Sequence, residues 1–329
     1  MQFIDYQEGT ATDTLFINDT TKPVLNHGQV LVKVHSFGIN RADTLQRQGK
    51  YPAPRGESPI LGLEVSGEVV QLGPDESDNQ SPWKIGDEVF ALVAGGGYAE
   101  YVAVNASHLM AKPKSVDMSS AAGIAEVFLT AYQSLFLVGD LKPEQRVLIH
   151  AGASAVGLAA IQLAKARGCH VSVTASTEKK LSMCEKYGAD RLINYKTQNF
   201  AECFEQGGVD VIIDFVGGDY INRNLRILNT DGTIVYLAML AGRFGDKLDM
   251  ALMLAKRATI TGSTLRSRSD EYKTALIEAF SKDFLAEFES GALRPVIDTQ
   301  YGIKDIAITH QRLEQNDSMG KLVVSWSSH

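Results

Sequence analysis

One stretch constrains the fold of this chain more than any other: Arg146-Val-Leu-Ile-His-Ala-Gly-Ala-Ser-Ala-Val-Gly-Leu158. Val147, Leu148 and Ile149 form the short apolar run that a strand covered on both faces needs. Gly152, Ser154 and Gly157 punctuate a turn, and residues 158–165 then read as an amphipathic helix. A strand, a small-residue turn and a helix start in direct succession make a site for a pyrophosphate. Backbone N–H groups of the turn face the anion, and the helix N-terminus adds partial positive charge. The spacing is G-x-S-x-x-G, one substitution from G-x-G-x-x-G. An ordinary tight βα turn reads the same way, so the flanking sequence must decide.

After Gly152 strands and helices alternate. Residues 171–174, 191–193, 209–214, 233–237 and 258–263 read as strands, and residues 178–187 as a helix stopped by Gly188. That alternation predicts a doubly wound parallel sheet, an α/β arrangement. Asp270–Glu289 reads as a long helix, and residues 294–299 and 321–326 as terminal strands that rejoin the first part of the chain. The first part has a different period. Residues 30–35, 63–72, 87–93 and 98–104 read as short strands, which suggests a small barrel. Residues 73–82 are acidic, Gly/Pro-bearing and poor in apolar side chains, as in a solvated loop, and residues 120–136 are helical in composition. With 329 residues, two domains are expected.

The net charge of −7 argues against general attraction to nucleic acid or to anionic membranes, since both need a basic surface. The three cysteines, Cys169, Cys184 and Cys203, are widely spaced and match no zinc pattern. They suggest free thiols in a reducing compartment. The first residues show no basic, then apolar, secretory pattern, and no apolar run is read as long enough to span a membrane. The expectation is a cytoplasmic protein.

In a dinucleotide fold the tip of the second strand separates NAD from NADP, because an acid there binds the ribose 2′-hydroxyl. Here the strand runs into Thr174-Ala-Ser-Thr-Glu-Lys-Lys180, with no acid at Ala175 or Ser176. Glu178 falls at the start of the next helix, where an acid has a structural reason to be. Ser176 and Lys180 supply a hydroxyl and an ammonium, which suit a 2′-phosphate. The cofactor expected from these residues is NADPH. A solvated helix face accounts equally well for Lys179 and Lys180.

Several short segments occur in an order that is specific in combination: Asn40-Arg-Ala-Asp43, Gln46-Arg-Gln-Gly49, Ile60-Leu-Gly-Leu-Glu64, Trp83-Lys-Ile-Gly-Asp87, Leu129-Thr-Ala131, Ile149-His-Ala-Gly152, Ala175-Ser-Thr-Glu-Lys-Lys-Leu181, Leu265-Arg-Ser-Arg268 and Gly320-Lys-Leu-Val323. Together they resemble the zinc-free quinone oxidoreductases of the medium-chain dehydrogenase/reductase superfamily, over essentially the whole chain. The resemblance implies a GroES-like β-rich catalytic domain, residues 1–124 and 266–329, plus a Rossmann NADPH-binding domain, residues 125–265. It implies an active site in the cleft between them and a homodimer, with residues 259–263 as the joining edge. Zinc-dependent relatives carry Cys where this chain has Asn40 and His where it has Leu63, and no cysteine precedes Cys169. No metal is therefore expected.

By the same resemblance, backbone N–H groups of Ser154, Ala155 and Val156 face the pyrophosphate, and Ser176, Lys180 and Tyr195 hold the 2′-phosphate and adenosine. Thr130, Leu237, Met239 and Leu240 lie near the nicotinamide. Val216 and Gly217 pass under the cofactor, Leu265 and Arg266 close over it, and Lys321 reaches it from the C-terminal segment. The partner is a small molecule, a quinone or an activated alkene. Asn40 and Tyr51 are the groups proposed to donate to its oxygen, with Asp43 orienting them. A turn for Asn40 and a surface loop for Tyr51 are the plainer readings. His35, His108, His150 and His310 show no base–nucleophile arrangement and read as structural. One alternative keeps the fold and reduces a 2-alkenal or enoyl-thioester, with Arg41, Arg47 and Arg55 as cations for an acyl-CoA or simply solvated. A second is a non-enzymatic NADPH-binding protein, crystallin-like or RNA-binding.

Overall fold

The computed structural model describes residues 1–9, 11–74, 81–204, 207–245 and 247–326. Most of the loop expected at 73–82 therefore lies outside the described residues. The chain divides into two compact units, Met1–Leu129 with Leu265–His329, and Thr130–Thr264.

In the first unit, β1 (Gln2–Tyr6) and β2 (Leu15–Asp19) pair as an antiparallel ribbon. The main sheet is built on β3 (Gln29–Gly38), which is followed by α1 (Arg41–Arg47), β4 (Glu64–Leu72), β5 (Glu88–Leu92), β6 (Tyr101–Asn105) and β7 (Leu109–Ala111). On one edge β3 pairs with β4, and the N-terminal part of its other edge pairs with β6 over residues 29–33. The register with β4 shifts between Val34 and Ser36, the signature of a bulge. That extra residue changes which parity faces inward: Val30, Val32 and Val34 enter the core before it, and Phe37 after it. The strand expected at 98–104 begins only at Tyr101, and Tyr98 is instead a fully buried side chain.

After α2 (Met118–Ala121) comes α3 (Ala125–Tyr132), continued by wider π-type turns to Val138. Met118–Val138 is 21 residues long with a mean hydropathy of 1.5, so it does reach membrane-spanning length and composition. The expectation that no run would do so is corrected. Its apolar side chains are used in packing, 72% of that window being buried. Within the first unit, Phe128 stacks edge-on against Phe288 with centroids 4.9 Å apart.

The second unit runs β8 (Arg146–Ile149), α4 (Ala155–Ala166), β9 (His170–Ala175), α5 (Glu178–Lys186), β10 (Arg191–Asn194), β11 (Val209–Asp214), α6 (Tyr220–Ile227), β12 (Leu228–Tyr236), α7 (Met250–Ala255) and β13 (Thr259–Gly262). All neighbours are parallel, in the order β10-β9-β8-β11-β12-β13. This is the doubly wound Rossmann order, and its direction reverses between β8 and β11. Ligands of such sheets bind outside the carboxyl ends of the strands at that reversal.

The chain then returns to the first unit with α8 (Asp270–Glu289), β14 (Ile297–Gly302), α9 (Ile306–Glu314) and β15 (Lys321–Ser325). β15 pairs antiparallel with the C-terminal end of β3 and parallel with β14. The strand expected at 294–299 starts later, because Pro295 has no N–H to give a ladder.

Candidate functional site

The second unit carries a dinucleotide-type site on the edge where its strands end. Val147, Leu148 and Ile149 are fully buried, so β8 is fixed by the core and delivers the turn 150–154 to that edge. Ser154 caps α4: its hydroxyl accepts the Gly157 N–H at 3.1 Å. The side chain is thus engaged by its own helix. Ala155 and Val156 stand in the first turn of α4, where a helix supplies no backbone acceptor for their N–H groups. Gly157 is required by contact, since a Cβ there would lie 2.5 Å from the Gly152 carbonyl oxygen. Ala151 takes the left-handed conformation, φ 50°, which a residue with a Cβ rarely adopts.

The next strand ends bring the other expected residues to the same edge. Ser176 follows β9 and is half-buried, as is Lys180 in the first turn of α5. Thr177 caps α5, its hydroxyl accepting the Lys180 N–H at 3.3 Å. Glu178 accepts a hydrogen bond from the Asn194 amide at 3.1 Å, which ties this acid to the end of β10. Tyr195 follows directly and is 44% exposed. After β11, Val216 and Gly217 form a turn whose N–H groups donate to Asp214 Oδ1 at 2.6 and 2.9 Å. Leu237, Met239 and Leu240 follow β12, and this segment is laced to that turn through Leu240 N–H to the Phe215 carbonyl at 3.1 Å and Ala241 N–H to the Val216 carbonyl at 2.8 Å. Met239 and Leu240 are exposed. Thr130 lies in α3, half-buried, its carbonyl accepting the Ser134 hydroxyl at 2.7 Å.

The first unit holds a buried polar cluster around the N-terminus of α1. Asn40 is the N-cap residue, not a free turn. Its backbone N–H donates to Asp43 Oδ2 at 2.7 Å. Asp43 also accepts from Gly62 N–H at 3.2 Å and from the Tyr98 hydroxyl at 3.1 Å. Burial pushes the Asp43 carboxyl up to about 6, against the pull of the Asn40 N–H, Lys321, Tyr98 and Arg266. Asp43 is only 1% exposed, so its carboxylate is spent on these internal hydrogen bonds. The Asn40 side chain donates to Glu64 Oε1 at 3.1 Å and accepts from Lys321 Nζ at 2.6 Å. Lys321 and Glu64, themselves an ion pair, are almost completely buried. The ammonium expected to reach the cofactor is thus engaged by two groups of the first unit. Arg266 donates to the Ala94 carbonyl and to Gln46 Oε1, each at 2.7 Å, and lies 5.6 Å from the Tyr51 ring. Its Nη1 is buried without a hydrogen-bond partner among the described residues. Leu265 beside it is buried, while Tyr51 is half-buried and its hydroxyl is pushed up by burial.

Sequence reasoning missed Glu64 and Tyr98 as members of this cluster, although both lie in or beside quoted segments. Arg47 needs correction. It is fully buried, held by Glu314 and the Ala11 carbonyl, so it is neither solvated nor available to an acyl-CoA.

A Rossmann sheet carrying a small-residue phosphate turn, joined in one chain to a β-rich unit with a buried polar cluster, defines a two-unit oxidoreductase. Residues 26–114 match the alcohol dehydrogenase GroES-like domain, and residues 155–282 match the zinc-binding dehydrogenase family. The chain is 30% identical over 318 residues to the quinone oxidoreductase of Homo sapiens, covering 93% of this chain and 92% of that one. It belongs to the medium-chain dehydrogenase/reductase superfamily, within its quinone oxidoreductases. Among solved structures it is similar to Escherichia coli quinone oxidoreductase complexed with NADPH, with a TM-score of 0.87, 26% identity and coverage of 99% and 100%. It is also similar to the CurK enoyl reductase, with a TM-score of 0.86, 25% identity and 98% of each chain covered. Although one matched family is named for zinc, no three His, Cys, Asp or Glu side chains converge as a ligand set among the described residues.

Proposed function

We propose that this protein is an NADPH-dependent, zinc-independent quinone oxidoreductase. One observation carries the reading: the sheet edge that offers the first-turn N–H groups of α4 has Ser176 and Lys180, and no free acid, at the tip of β9. That set fits NADPH. Ala155 and Val156 bind the pyrophosphate through their N–H groups, and Ser176 and Lys180 bind the 2′-phosphate. The closely packed turn at Val216 and Gly217 lets backbone approach the cofactor, and Leu237, Met239 and Leu240 offer it apolar contact. When bound, NADPH supplies a hydride to an acceptor such as a quinone.

A quinone gains two electrons and two protons on full reduction, and the hydride brings one proton. The half-buried Tyr51, a phenol that carries its proton at neutral pH as tyrosines ordinarily do, is assigned as the holder of the other. Asn40 is oriented by Asp43 from the backbone side and by Lys321 and Glu64 at its amide. With the amide so engaged, and no Cys or His at its place or at Leu63, zinc-assisted activation is not part of the reading. The likeness to an enoyl reductase keeps a second acceptor in view, a conjugated alkene. Initial rates of NADPH oxidation with 1,2-naphthoquinone and with crotonyl-CoA, side by side, test the proposal. A preference for the quinone supports it, and a preference for the thioester overturns it. Tight NADPH binding without oxidation by either acceptor would favour a non-enzymatic protein.

β13 ends the order of the second sheet, so among the described residues one of its edges has no strand partner. We assign that edge to a second copy of the chain, because pairing removes an exposed ladder. Light scattering that finds a monomer overturns this assignment.

A further inference from the structure

His150 is fully buried immediately after β8, and the function above gives it no role. Its two ring nitrogens have partners on opposite sides. Nδ1 lies 3.0 Å from the Thr174 hydroxyl in β9, and Nε2 lies 2.9 Å from Asn224 Oδ1 in α6. Asn224 in turn donates through Nδ2 to Asp214 Oδ2 at 2.7 Å, and Asp214 Oδ1 receives the N–H groups of Val216 and Gly217. His150, Asn224 and Asp214 are 0% exposed and Thr174 is 1% exposed.

The chemistry fixes the direction of every bond. As a carboxylate Asp214 has only acceptor oxygens, so Asn224 presents its amino group to Oδ2. The amide oxygen of Asn224 then faces His150, whose Nε2 must carry the proton. Nδ1 is left as an acceptor for the Thr174 hydroxyl. Burial favours the neutral imidazole that this arrangement needs. The ring is held edge-on between Phe200 and Tyr220, with centroids 4.8 and 5.0 Å away. The chain of bonds spans β9, β8 and β11, across the reversal of the sheet order. It starts two residues before Ser176 and ends on the turn at Val216 and Gly217.

We infer that His150 is a positioning residue for the dinucleotide: through Asn224 and Asp214 it fixes the Val216–Gly217 turn, and through Thr174 it ties that turn to the strand end that reads the 2′-phosphate. A fully satisfied buried network rigidifies what it connects, whereas a partly satisfied one leaves polar groups unpaired and lets them rearrange. The inference rests on the proposed NADPH reading, and two readouts keep them apart. Amide hydrogen exchange in the cofactor-free protein tests the network alone. The dissociation constant of NADPH tests its consequence.

His150→Leu is expected to speed exchange of the Val216 and Gly217 amides at least tenfold relative to amides of β12, and to weaken NADPH at least tenfold. His150→Gln keeps a donor for Asn224 and should recover part of both. Ile234→Ala, a core change in β12, lowers the melting temperature without selective effect on either readout. Should His150→Leu fail to fold, Thr174→Val removes only the hydroxyl at the far end and is expected to move both readouts in the same direction. Unchanged exchange at Val216 and Gly217 overturns the inference, as does unchanged NADPH affinity in a variant whose exchange has risen. A wild-type protein that binds no NADPH overturns the proposed function, while the exchange readout still decides whether His150 holds the turn.

Discussion

Lys321 Nζ donates to Asn40 Oδ1 at 2.6 Å, joining the last strand of the chain to the cap of its first α-helix. Glu64 closes the triangle, pairing with Lys321 and accepting from the Asn40 amide. The approach is possible because residue 38 is glycine: a Cβ there would lie 2.6 Å from Lys321 Cε and 2.7 Å from the Ala122 carbonyl oxygen.

Removing one partner of a buried ion pair leaves an uncompensated charge, which costs about 3–5 kcal/mol. Lys321→Met should therefore strongly destabilise the first unit, and adding Glu64→Gln should restore much of the loss. Both tryptophans, Trp83 and Trp326, lie in this unit, so urea unfolding followed by their fluorescence measures the effect. Equal losses in the single and double variants would refute the pairing.

The Tyr98 hydroxyl donates to Asp43, so its oxygen accepts from His310 Nε2 at 3.1 Å, and His310 Nδ1 is left buried without a partner among the described residues. Burial, and then Arg47, pull His310 down to about 3. The unfolded chain takes up a proton near pH 6.5 and the fold refuses it until about pH 3. Stability contributed by the neutral ring is thus present above pH 6.5 and lost as pH falls toward 3, by up to roughly 1.4 kcal/mol per pH unit. His310→Leu should flatten that slope. Urea titrations at pH 7, 6 and 5 check it, and parallel curves for the two proteins would contradict it.

At the phosphate turn two small-residue changes should act in opposite senses. Ala151 has φ 50°, so Ala151→Gly relieves a left-handed strain of about 1–2 kcal/mol, partly offset by chain entropy, and raises the melting temperature. Gly157→Ala lies inside a helix, where the exchange usually stabilises by up to about 1 kcal/mol. Here the new Cβ would meet the Gly152 and Ala151 carbonyl oxygens at 2.5 and 2.7 Å, so the melting temperature should fall. Calorimetry that finds the same sign for both would refute this account of the turn.

The parallel sheet was readable because β8 and β11 each carry an unbroken apolar run, Val147–Ile149 and Val211–Ile213, with β-branched or apolar residues in the strands beside them. The long helix α8 was readable because its apolar positions keep a helical spacing. α1 was not: the residues it buries are Asp43, Thr44, Gln46 and Arg47, and a helix with a polar buried face has no apolar signal. For the same reason Arg47 read as solvated. α6 and α9 were missed because they are short, eight and nine residues, and each offers only a few apolar positions from which to read a period. The Asn40 and Lys321 contact joins positions 281 residues apart and leaves no local trace. The phosphate turn lies at the other extreme, with strand, turn and cap all within one short segment.

The central claim is that the ends of β8 and β9 form an NADPH site in which Lys180 reads the 2′-phosphate. Calorimetric titration of the wild-type protein and of Lys180→Ala with NADPH and NADH tests it most directly. A lost charge-assisted contact is worth about 1.5–3 kcal/mol. The account predicts about a 10- to 150-fold weaker NADPH complex in the variant and little change for NADH. Equal weakening of both cofactors, or a wild-type preference for NADH, would contradict it.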